Sequence, residues 1–152
     1  MTLMLASVRS QEEAEIALAQ GADIIDCKEP AHGALAALPL NIVQDIVESV
    51  KGRRPVSAVV ELPYDASHAR RAFEEVIETG VDYVKFAFPL TRDASDIIAI
   101  LSPITTQTRL IAVFFADLSP ELDCLPLLAQ AGFYGVMLDT AHKGKEIGRA
   151  HV

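Results

Sequence analysis

Short apolar runs alternate with helix-patterned stretches along the whole chain, six times over, and no other feature restricts the fold as strongly. Runs at 3–7, 22–28, 56–61, 83–88, 110–117 and 135–140 are nearly continuous in aliphatic and aromatic residues, the pattern of short strands buried on both faces. Helical signals separate them. Ser10 stands before Glu12, Glu13 and Glu15, with Gly21 as the stop. Ile42, Val43, Ile46 and Val50 form one stripe over 40–50, and Gly52 follows. A third helix is expected over 65–79, ended by Gly80, and a fourth over 94–101, ended by Pro103. Ser119-Pro120-Glu121 has the form of a helix start with proline in the first turn, and Gly132 ends that helix. Strands joined by helical crossovers pair in parallel, so the fold class is α/β. An open doubly wound sheet and a closed barrel both fit this pattern. No GxGxxG follows the first strand and no Walker sequence occurs, which weighs against a nucleotide-binding open sheet.

With 152 residues, 51% of them apolar and 22% charged, the chain is expected to form one domain with a real core. Its 13 Lys and Arg against 21 Asp and Glu leave no cationic surface for nucleic acid or an anionic membrane, so neither is expected as a partner. The apolar runs fall far below the roughly 20 residues of a membrane span, and the N-terminus lacks a signal pattern, so a cytoplasmic protein is expected. Cys27 and Cys124 form neither a CxxC pair nor a disulfide framework, and no His joins them at ligand spacing. No metal or other cofactor is expected.

Charged residues sit at the carboxyl ends of alternate strands, where parallel α/β folds place their ligands. Asp26 and Lys28 end the second strand two residues apart, on one face, with Cys27 on the other. Lys85 lies in the fourth strand and Asp139 ends the sixth, with Lys143 four residues later. Alternate strands of an eightfold barrel contribute to the same interior layer, so these side chains converge if the sheet closes, which favours the TIM (β/α)8 barrel. Two lysines and two aspartates nearly cancel, and Lys143 adds a local cation suited to a phosphorylated or carboxylated substrate. An amine beside a second ammonium and apolar walls can lose its proton and attack a carbonyl, while a neighbouring carboxylate moves protons. That combination points to lyase or aldol chemistry. Each residue alone also has an ordinary reading: a strand-end Lys as a rim residue, a strand-end Asp as a turn former. His32, His68 and His142 read as loop or helix-face residues, and both cysteines as small core residues.

Asp26-Cys27-Lys28-Glu29-Pro30 with Gly33, then Tyr83-Val84-Lys85, then Met137-Leu138-Asp139-Thr140-Ala141 with Lys143, resemble the (5-formylfuran-3-yl)methyl phosphate synthase family, over about residues 3–145. The resemblance implies a TIM barrel that condenses two molecules of glyceraldehyde 3-phosphate, losing phosphate and water, without metal or organic cofactor. It implies Lys28 as the Schiff-base lysine and Asp26 as its neighbouring acid/base. Lys85 would assist imine and enol steps or hold phosphate, and Asp139 and Lys143 would manage proton transfer and anion binding. Ser7, Asp117 and Thr140 fall at matching strand ends as substrate-binding candidates. Ala36 stands where the family pattern has glycine, and 59–63 is one residue short of a Gly-Asp-containing stretch, so no role is carried to the third strand. The intact protein is expected to bind a phosphorylated triose and to be a homo-oligomer.

Six strand–helix units fall short of the eight in a complete barrel, which usually takes about 250 residues. We therefore expect residues 1–145 to be a barrel truncated to about six β/α units, with little or no activity of its own. Residues 146–152 depart from the family pattern and coincide with a translation of a common sequencing adapter, so they are expected to be a non-native tail. Two other readings compete. One is another Schiff-base or phosphosugar-binding TIM-barrel lyase or aldolase; its decarboxylase form, with Asp-x-Lys-x-x-Asp at a strand end, would need a carboxylate at position 31, which is Ala31. A non-catalytic fragment would instead pair with another chain through its open sheet edges.

Overall fold

The computed structural model describes residues 1–89 and 93–142. Six strands, β1 (Leu5–Val8), β2 (Ile24–Cys27), β3 (Val56–Val59), β4 (Tyr83–Ala87), β5 (Arg109–Phe115) and β6 (Gly135–Asp139), form one sheet in the order β1-β2-β3-β4-β5-β6. Every neighbouring pair is parallel. Helices α1 (Gln11–Ala19), α2 (Leu40–Val50), α3 (Ala66–Glu78), α4 (Ala94–Leu101) and α5 (Leu125–Gln130) make the crossovers. Strictly sequential order has no topological switch point, and right-handed crossovers then leave all helices on one side. The sheet must curl with its bare face inward. This settles the choice between open sheet and barrel for the described residues.

Local chemistry sets the helix starts. The Ser10 side chain accepts from the Glu13 amide at the head of α1. Asp65 accepts from the Ser67 and His68 amides at α3, and Asp93 from Ser95 at α4. The core fills the space between helices and the outward residues of the strands: Ile25, Cys27, Ala58, Val84, Phe86, Ala112 and Phe114 meet Ala14, Ile46, Phe73, Ile97 and Leu128. Phe73 of α3 packs edge-on against Phe86 of β4, with ring centroids 5.5 Å apart.

One expected helix start is wrong. The fifth helix begins at Leu125, after Cys124, rather than at Pro120. Ser119 has φ 50 and ψ 59, a left-handed conformation, whereas an N-capping residue needs extended backbone. The chain therefore turns at 119 instead of entering a helix, after a short 3-10 turn at Ala116–Leu118, and Pro126 occupies the first turn.

Candidate functional site

Period-two geometry on β2 sends Asp26 and Lys28 inward and Cys27 out into the helix-side core. Burial is nearly complete for Asp26 and Lys85, at 1% and 2% exposure, and strong for Lys28 and Asp139, at 8% and 9%. Two ion pairs join them. Lys85 Nζ lies 2.6 Å from Asp26 Oδ1, and Lys28 Nζ lies 3.9 Å from Asp139 Oδ2. The second contact measures the curvature. Strands β2 and β6 are four spacings apart in the sheet order, roughly 19 Å if the sheet were flat. Only a strongly curled sheet brings their side chains into contact.

The Asp26 carboxylate accepts from both flanking strands. Ser7 Oγ of β1 donates to Oδ2 at 3.0 Å, and Ser57 Oγ of β3 donates to Oδ1 at 2.6 Å. The register places Ser7, Asp26 and Ser57 in one row. Sequence reasoning missed Ser57. Its trace was a lone hydroxyl inside the apolar run 56–60, and it supplies the third-strand contribution that motif comparison left open. On the opposite face, burial pushes the Cys27 thiol up to about 12, with the Asp26 charge adding to the effect. Cys27 is thus a protonated core residue without nucleophilic character.

Asp139 Oδ1 accepts from the Thr140 amide at 2.7 Å, which orients the carboxylate. Asp117 does not reach the interior. Its oxygens accept from the amides of Ala141 and His142 at 2.8 and 3.0 Å, and His142 Nδ1 lies 3.0 Å away. The Ala141 amide, followed by the His142 amide and ring, holds the Asp117 carboxyl down at about 2. It fastens the segment after β6 to the turn after β5. His68 is similarly tied to Asp65 on the exposed start of α3. Lys143 lies outside the described residues, as does the 146–152 segment. Among the described residues, no cluster of three or more His, Cys, Asp or Glu side chains is placed to hold a metal ion, and no helix is long and apolar enough to cross a membrane.

Six curled parallel strands with helices outside and charged groups gathered at their carboxyl ends define a segment of a TIM-barrel protein. Solved structures agree: dihydrodipicolinate synthases from Bacillus clausii and Oceanobacillus iheyensis superpose with TM-scores of 0.65 and 0.63. They are 19% and 15% identical, and each match covers 88% of this chain, with 52% and 51% of theirs. Within that class, the family model described as 4-HFC-P synthase matches residues 4–151, and the chain belongs to that family. It is 31% identical over 153 residues to the (5-formylfuran-3-yl)methyl phosphate synthase of Methanosarcina acetivorans, covering 92% of this chain and 65% of that protein. A Methylorubrum extorquens protein provisionally given the same name is 40% identical over 142 residues. That match covers 92% of this chain and 58% of the relative, so the chain spans about three-fifths to two-thirds of these proteins. The relatives are named as synthases, which makes this an enzyme family.

Proposed function

We propose that this site makes (5-formylfuran-3-yl)methyl phosphate from two molecules of glyceraldehyde 3-phosphate, as a carbon–oxygen lyase working through a lysine Schiff base. The contact between Lys28 Nζ, just past β2, and Asp139 Oδ2 of β6, at 3.9 Å in a mostly buried mouth, carries this reading. Membership in a family whose relatives are named for making a furan aldehyde phosphate supports a phosphorylated substrate. The amine of Lys28 in its neutral form adds to a triose carbonyl, and the carbinolamine expels water to give an iminium. The iminium draws electrons from the adjacent carbon, whose proton passes to a carboxylate within reach, Asp139. The resulting enamine forms the carbon–carbon bond to the second aldehyde. Elimination and ring closure complete the furan, and hydrolysis frees the lysine. Loss of one phosphate and two waters balances the atoms. Lys85, held as an ammonium by Asp26, stabilises phosphate or enolate oxygen, and Lys143 adds a further cation for anion binding.

Borohydride reduction of the full-length protein in the presence of glyceraldehyde 3-phosphate tests the covalent step. A stable adduct is expected on Lys28, located by peptide mass. Lys28→Arg keeps the charge but cannot form an imine, and is expected to abolish the adduct while the protein remains folded. An adduct on Lys85, or none on the folded parent, would contradict the reading.

A further inference from the structure

Among the buried polar residues described, the chemistry above gives Ser57 no role. Ser57, at 1% exposure, stands on the inner face of β3 directly across from Asp26. Its hydroxyl and the Lys85 ammonium meet the same oxygen of Asp26, each at 2.6 Å, while Ser7 donates to the other oxygen at 3.0 Å. An ammonium can only donate, and a hydroxyl donates well into a carboxylate that carries no proton of its own. Three donors from β1, β3 and β4 thus converge on one acceptor from β2, and together they fix the plane of the Asp26 carboxylate.

We propose that Ser57 is a positioning residue that locks Asp26 as the counter-ion of Lys85 and so makes the two lysines of the mouth unequal. Lys85 is held against Asp26 at 2.6 Å, and covalent work falls to Lys28, whose partner Asp139 stands farther off, at 3.9 Å. Asp26 then acts on substrate through Lys85 instead of as a mobile proton carrier. The assignment of covalent work to Lys28 rests on the reading of the site given above; the lock on Lys85 does not.

Exchange of the Lys85 ammonium protons, followed by nitrogen-15 NMR of the full chain without substrate, reads the lock directly. Lys85→Arg identifies the signal by removing it. Two variants of matched shape separate hydroxyl from packing: Ser57→Thr keeps the donor and Ser57→Val lacks it. Exchange is expected to speed up at least about fivefold in Ser57→Val and Ser57→Ala, and to stay within about twofold of the parent in Ser57→Thr. Unchanged exchange in the valine and alanine variants would overturn the proposal. Equal acceleration by threonine and valine would also overturn it, by showing that the position matters for its volume alone. No turnover enters this measurement, so a missing borohydride adduct refutes the Schiff-base reading and an unmoved exchange rate refutes the role of Ser57.

Discussion

Asp26 is the residue on which most of the site's buried charge depends. Removing it by Asp26→Ala leaves the Lys85 ammonium in an interior position without its counter-ion, which costs about 3–5 kcal/mol. The loss is expected as a lowered urea midpoint. Adding Lys85→Met removes the stranded charge and should regain more than half of the lost stability, because a buried pair is worth little against apolar residues of similar volume. At this scale the charged groups were legible in the sequence alone. Asp26, Lys28, Lys85 and Asp139 interrupt apolar runs near strand ends, and alternation alone assigns Asp26 and Lys28 to one face. Ser57 was not legible. A small hydroxyl fits an apolar strand by size, and only the pairing of Asp26 with Ser57 across β2 and β3 shows what it bonds.

Between elements, the clasp from Asp117 to the segment after β6 carries a pH dependence whose sign is set. The folded carboxyl lies at about 2, below the ordinary value of about 3.9. Its contribution is therefore present above about pH 4 and is lost as the pH falls toward 2, where the folded carboxyl takes up its proton. Asp117→Asn removes the charge, so thermal stability of the variant should fall less steeply than that of the parent between pH 4 and 2, as followed by circular dichroism. The positions of α2 and α4 were readable to the residue, since a clear apolar stripe in one and an aspartate cap with a proline stop in the other leave little freedom. The start of α5 was not, because Ser-Pro-Glu carries the composition of a cap, while the left-handed backbone at Ser119 follows from the turn that leaves β5.

For the molecule as a whole, apolar periodicity gave parallel strands with helical crossovers but could not choose between an open and a curled sheet. Strand order decides that, and order is a long-range property that no local pattern encodes. Within the strands themselves the hint was chemical: charged residues on strands two, four and six make sense if the strands face a shared interior. Curvature also explains why the inward Met137 and Asp139 of β6 are buried, in contrast to Val136 and Leu138 on the outer side, at 38% and 36% exposure. The functional account stands or falls with the closeness of β2 to β6 across the mouth. Zero-length coupling with a water-soluble carbodiimide measures it without substrate, since an amide forms only between an amine and a carboxylate in contact. After digestion, mass spectrometry is expected to find Lys28 joined to Asp139. Peptides in which Lys28 is unmodified or joined only to carboxylates outside the mouth, in protein shown to be folded, would contradict the account.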